Sequence, residues 1–190
     1  MGLAPHGSRS SRNRNLREYN RVMPTCSPPI RVLFLCTHNS ARSILSEALL
    51  NHLGGDRFRA YSAGSSPRPN QSPNPLALET LREAGISVDG LRSKNWDEFG
   101  AADAPSMDLV ITVCDNAAAE VCPVWPGHPA TAHWSYADPS AIVGNQEDKR
   151  AAFRNTLALI RQRLDRLVNL SDEALSPEHI QRSARALAEE

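Results

Sequence analysis

The segment Val32-Leu-Phe-Leu-Cys36 is apolar at every position. A strand with one face on a core and one in water alternates, so an unbroken run belongs to a strand covered on both faces of a parallel sheet. Its surroundings agree. The strand Ile30 to Leu35 leads into Ser40 to Leu53, where Ile44, Leu45, Ala48, Leu49 and His52 recur at spacings of three and four, with Gly54 as the stop.

The alternation continues along the chain. Phe58 to Tyr61 predicts a second strand closed by Ser62-Ala63-Gly64, and a loop rich in Pro, Ser and Asn runs from 65 to 74. Asn74 caps a helix opening at Pro75, with Leu76, Leu78, Leu81 and Ala84 as its buried stripe and Gly85 after its end. Ser93 caps a short turn holding Trp96 and Phe99. Asp108 to Val113 and Thr131 to Trp134 are the third and fourth strands. Glu147 to Val168 is a long amphipathic helix with Phe153, Leu157, Ile160, Leu164 and Leu167 on one face. Ser176-Pro177-Glu178 opens a last short helix. This pattern predicts an α/β fold, an open four-stranded parallel sheet flanked by helices in three layers.

The 190 residues suit one domain at 30–170, a helical extension at 171–190 and an arm at 1–29. Arg9, Arg12, Arg14, Arg17 and Arg21 stand in the arm among Ser, Asn and Pro, with no periodic apolar face, which predicts disorder. An Arg- and Ser-rich transit peptide, or a true start at Met23, are the alternatives. Basic and acidic residues balance at 21 each, so composition offers nothing to draw the chain to nucleic acid. The run from Val32 to Cys36 falls far short of the roughly 20 residues that cross a membrane. Four cysteines in a chain of this length make no disulfide scaffold, and the expected compartment is the reducing cytoplasm.

Chemistry concentrates in Cys36-Thr37-His38-Asn39-Ser40-Ala41-Arg42-Ser43. This loop joins the carboxyl end of the first strand to the first helix, where open α/β sheets bind ligands. Backbone N–H groups and the helix N-terminus there favour an anion, so a cysteine in that nest is expected to have its thiolate favoured, with a pKa below the free value of about 8.5. Five residues on, Arg42 offers a planar two-pronged donor to the same anion. Cys-x5-Arg alone is a weak pattern, and its place between strand and helix gives it weight. The bland alternative is a buried cysteine near a surface arginine. Asn39 can take the left-handed conformation that a tight loop needs. Ser43 can donate a hydrogen bond to the Cys36 thiolate, and His38 is either a base or a solvated loop histidine.

Val-Leu-Phe-Leu-Cys-Thr-His-Asn-Ser-Ala-Arg-Ser resembles the catalytic loop shared by low-molecular-weight protein tyrosine phosphatases and the arsenate reductases built on the same fold. The likeness runs from about Arg31 to Leu170. It implies that residues 37–43 bind the oxyanion and that Asp138, in Asp138-Pro139, is the general acid. Read without the resemblance, Asp-Pro after a strand is also an ordinary turn.

Two features separate the branches. Cys114 and Cys122 lie eight positions apart in Thr112-Val-Cys-Asp-Asn-Ala-Ala-Ala-Glu-Val-Cys-Pro. On a continuous helix they would be ~12 Å apart along the axis, whereas a disulfide needs Cα atoms within about 7 Å. Pairing therefore demands unwinding, which an alanine-rich segment ending at Pro123 permits. The pair resembles the resolving cysteines of thioredoxin-linked arsenate reductases; two small core residues are the other reading. The second feature is Pro139-Ser140-Ala141-Ile142, without the aromatic residues that grip a phosphotyrosine ring in the phosphatases. Ala41 also stands where those phosphatases usually carry a second loop cysteine.

The resemblance therefore implies arsenate reduction for arsenic detoxification. Cys36 attacks arsenic, Arg42 clamps the oxyanion, and Asp138 protonates the departing oxygen. Cys114 releases arsenite by attacking Cys36, and Cys122 carries the disulfide to thioredoxin, or to glutaredoxin with glutathione. No metal or organic cofactor is expected. Hydrolysis of phosphate monoesters is the enzymatic alternative, and an oxyanion-binding or redox-sensing regulator the non-enzymatic one. Trp96, Trp125 and Trp134 are assigned to packing.

Overall fold

The computed structural model describes residues 1–2, 28–120 and 125–189. The expectations placed on the arm at 3–27 and on Cys122 lie outside the described residues. Four parallel strands, β1 (Ile30–Cys36), β2 (Phe58–Gly64), β3 (Leu109–Thr112) and β4 (Ala130–His133), stand in the order β2-β1-β3-β4. Both central strands are buried along their apolar positions, as the unbroken runs required.

Alternation along β1 divides the core. Val32, Phe34 and Cys36 face one cluster, which also takes residues of α1 (Arg42–Leu53), α2 (Pro75–Glu83), α4 (Gln146–Val168) and α5 (Ile180–Ala186). Leu33 and Leu35 face the other, formed with Ala63, Phe99, Met107, Val110 and Trp125. Among the described residues, the 3-10 turn Trp96–Phe99 and the loop residues Met107 and Trp125 cover the sheet there. Trp96 and Trp125 meet edge to face at 6.2 Å. Trp134, fully buried, donates its indole N–H to the Ala184 carbonyl at 2.8 Å and ties α5 to the sheet.

Helix boundaries follow their caps. Asn74 accepts from the Leu76 N–H at the start of α2, with Pro75 in the first turn. Asn145 and Asp148 form a reciprocal capping box on α4. The helix α1 begins at Arg42, two residues after the expected Ser40, because the loop backbone turns through 37–41 first. The last helix likewise opens at Ile180 rather than at Ser176. Two residues of the expected periodic patterns are exposed: His52, in the last turn of α1, and Ala84, past the end of α2, where Ala77, Thr80 and Leu81 are the buried positions. No described helix is long and apolar enough to cross a membrane.

Candidate active site

The site forms where β1 and β3 end side by side. Register pairs Leu35 with Thr112, so the next residues of both strands, Cys36 and Val113, then Thr37 and Cys114, leave the sheet together. Cys36 and Cys114 are both buried free thiols. Thr37 spans the gap, its Oγ1 lying 3.7 Å from Cys114 Sγ.

Around Cys36 the loop supplies donors. The Asn39 N–H points at Cys36 Sγ from 3.1 Å, and Ser43 Oγ lies 2.9 Å from the same sulfur. Asn39 is fully buried with φ at 50°, the left-handed conformation that the turn requires. No side chain caps the N-terminus of α1, so its first N–H groups stay directed into the loop. Gly64 lets β2 come close: a Cβ there would sit 2.7 Å from the Thr37 carbonyl oxygen.

The expected depression of the Cys36 pKa is corrected by its burial. Burial pushes the thiol up, and the Ser43 hydroxyl is the largest of the contacts pulling it down. Cys114 pushes upward as well, while the N–H groups of Asn39 and Ser43 pull downward. The strand end is sunk in the core, so loss of hydration outweighs the nest.

Arg42 does not point freely into the loop. Its Nη1 donates to the Tyr136 carbonyl at 2.9 Å, and Nη2 to Asp138 Oδ2 at 3.2 Å. Asp138 caps the 3-10 turn Pro139–Ala141 through its other oxygen, which accepts from the Ser140 N–H at 3.0 Å. The structure thus links Cys36 with Asn39 and Ser43, Thr37 with Cys114, and Arg42 with Asp138 around the one loop. His38 is exposed and makes no side-chain hydrogen bond among the described residues, as a solvated loop histidine does. Ser40 contributes its carbonyl to the Asn74 N–H, and Ala41 is the buried N-cap of α1.

Cys114 is the N-cap of α3 (Asp115–Ala119), a helix of five residues that gives way to extended backbone at Glu120. Asp115 Oδ1 accepts from Ser135 Oγ at 2.6 Å and lies 3.1 Å from His133 Nε2. The Ser135 and His133 contacts hold the Asp115 carboxyl below its ordinary value.

Sequence reasoning missed the support behind Asn39. Ser62, Glu47, Ser93 and Lys94 all reach it or its partners, and Glu47 and Lys94 form a buried ion pair at 3.2 Å. Nothing local marked it: on α1 Glu47 shares its face with Ser43 and Asn51, as a solvent-facing acid would. Among the described residues no group of three or more His, Cys, Asp or Glu side chains is placed to hold a metal.

The parallel sheet in the order 2-1-3-4 carries Cys-x5-Arg at its first β–α turn, the architecture of the low molecular weight phosphatases. The low molecular weight phosphotyrosine protein phosphatase model matches residues 31–183, and the chain belongs to that family. It is 36% identical over 141 residues to an arsenate reductase of Bacillus licheniformis, covering 74% of this chain and 96% of that protein. A thioredoxin-dependent arsenate reductase of Corynebacterium glutamicum is similar in structure, with 29% identity and a TM-score of 0.52, over 75% of this chain and 63% of that one. A low molecular weight protein tyrosine phosphatase from T. tengcongensis shares the fold at a TM-score of 0.60 and 23% identity, over 73% and 97% of the two chains.

Proposed function

We propose that this chain reduces arsenate to arsenite, with Cys36 as the nucleophile and Cys114 as the thiol that resolves the adduct. One observation carries the reading: a second buried thiol stands against the nucleophile loop, bridged by Thr37, at the end of the adjacent strand. Phosphate hydrolysis has no use for that thiol. Reduction of As(V) to As(III) needs two electrons, and two thiols closing into one disulfide supply both.

The oxyanion sits against the N–H groups of 37–43 and the Arg42 guanidinium. Cys36 sulfur bonds to arsenic while Asp138 delivers a proton to the departing oxygen, which leaves as water. Cys114 then attacks Cys36 sulfur, so an S–S bond forms as the S–As bond breaks. The electron pair of that bond stays on arsenic, and arsenite departs. Cys122 is the proposed next acceptor of the disulfide. The short helix α3, ending at Ala119 before extended backbone, supports a segment that can rearrange. The arsenate reductases among the relatives support the substrate, and the thioredoxin-dependent one supports a dithiol protein as reductant over glutaredoxin with glutathione. Such a cycle belongs in the cytoplasm.

The test is arsenate-dependent NADPH consumption with the thioredoxin and the glutaredoxin–glutathione systems supplied in turn. Turnover with one of them is expected. Hydrolysis of p-nitrophenyl phosphate without arsenate turnover in either system would overturn the proposal in favour of a phosphatase.

A further inference from the structure

Arg42 holds the turn that carries Asp138 through the carboxylate at 3.2 Å and through the Tyr136 carbonyl at 2.9 Å. The same turn is also held from another side, by a contact that the chemistry above does not use. Asn74, 66 positions away in chain, donates from Nδ2 to Ser140 Oγ at 3.4 Å. Ser140 in turn gives its backbone N–H to Asp138 Oδ1 at 3.0 Å, within the 3-10 turn that follows the acid.

Donor chemistry fixes which way the Asn74 amide lies. The Leu76 N–H can only donate, so the atom it meets at 2.9 Å is Oδ1, and the amide nitrogen faces Ser140. Capping α2 does not need that nitrogen, since serine and aspartate cap about as well as asparagine. The Asn74 backbone N–H adds a contact to the Ser40 carbonyl at 2.8 Å. One residue thus touches the oxyanion loop, the start of α2 and the turn after the acid. Substrate acts differently on the two holds. An oxyanion in the loop competes for both prongs of Arg42, so that hold loosens as the reaction begins. Arg42 beside the carboxylate also favours its ionised form, whereas a general acid must carry a proton. Asn74 is neutral and takes the carbonyl of Ser40, leaving the loop N–H groups to the anion.

We propose that Asn74 is a positioning residue for the general acid, acting through Ser140 to keep Asp138 beside the oxyanion loop once Arg42 has turned to the substrate. One neutral hydrogen bond of this length adds little to stability. Its effect is on rate, because a displacement of about 1 Å at a reacting group can cost up to about 100-fold.

The proposal rests on Asp138 being the acid, and its test uses the full chain carrying Cys114→Ser, in which the Cys36–arsenic adduct is expected to accumulate. The readout is the rate of adduct formation from arsenate, measured by mass spectrometry of quenched protein. Ser140→Ala removes the hydroxyl and leaves the backbone N–H bond to Asp138 in place. Asn74→Ser keeps a cap on α2 but is too short to reach Ser140. Each is expected to slow the step about tenfold, and the two together no more than either alone. Asp138→Asn is expected to slow it about 100-fold. In that background Ser140→Ala should cost less than a further ~2-fold, because the group it positions is already gone. No loss with the acid present, or an equal loss in both backgrounds, would overturn the proposal; the second result marks a merely structural contact. A rate untouched by Asp138→Asn would remove the acid, and the proposal with it. If the parent forms no adduct, the substrate reading fails, and the same comparisons are made on hydrolysis of phenyl phosphate, whose poor leaving group needs the acid. A chain inactive on both substrates would overturn the positioning role as well.

Discussion

Arg42 and Asp138 are held together across 96 positions of chain, guanidinium to carboxylate at 3.2 Å, with the Tyr136 carbonyl on the other prong at 2.9 Å. The residue expected to clamp the oxyanion thus also anchors the loop that carries the proposed acid. An oxyanion that takes both prongs must draw them from Tyr136 and Asp138, which frees the acid as substrate binds.

Arg42→Lys is therefore expected to fail nearly as badly as Arg42→Ala, each losing on the order of 100-fold or more in kcat/KM for arsenate. A lysine point charge cannot serve two acceptors in one plane. Steady-state kinetics on both variants checks this, and recovery of most activity by Lys would reduce the clamp to a charge.

Cys36→Ser should abolish reduction while leaving circular dichroism unchanged, because a serine hydroxyl stays protonated near neutral pH. Cys114→Ser should form the arsenic adduct on Cys36 in a single turnover yet release little arsenite unless a small thiol is added. Cys122→Ser should complete one turnover and stop at a Cys36–Cys114 disulfide. Mass spectrometry of quenched protein separates these species, and undiminished multiple turnover by Cys122→Ser with thioredoxin would remove Cys122 from the path.

Gly64→Ala should cost about 1–3 kcal/mol in urea unfolding, because the added methyl meets backbone rather than a movable side chain. Its nearest neighbours are the Thr37 oxygen at 2.7 Å and the Asn39 nitrogen at 3.0 Å. The loop must shift to admit it, so arsenate turnover should fall at least tenfold. A variant as stable and active as the parent would show that the strand end and loop are not in register as described.

Burial pushes the Tyr136 phenol up to about 12 from its ordinary 10.0, with Arg163 over the ring at 4.9 Å pulling the other way. Because the folded value is the higher one, this contribution to stability is full below pH 10 and is lost as pH rises toward 12. The loss amounts to about 3 kcal/mol. Among the described residues the buried Tyr136 hydroxyl has no geometric hydrogen-bond partner, so Tyr136→Phe should be near neutral at pH 7 and should flatten this alkaline fall. Urea midpoints for both proteins at pH 9, 10 and 11 measure it.

Much of this architecture could be read from local pattern. The unbroken run at Val32–Cys36, the Asn74-Pro75 start and the stripe from Phe153 to Leu167 each report on their own backbone within a turn or two, and each forms as expected. Cys36 and Arg42 were legible for the same reason, since a strand end and a helix start five residues apart fix where both side chains begin. His52 and Ala84 were misread because periodicity does not say where the neighbouring element ends.

Contacts between segments distant in sequence were decided by the tertiary structure alone. Glu47 and Lys94 are 47 positions apart, and nothing local in either marks the other as its partner. Burial of Cys36 reverses the direction of its expected pKa, because hydration is lost to residues packed from other elements rather than to its own loop. The sequence by itself determined the order of strands and helices and the chemical types at their ends, which are short-range properties of the chain. Which donor meets which acceptor, and where Arg42 spends its two prongs, depends on strand order and packing, and those exist only once the sheet has closed.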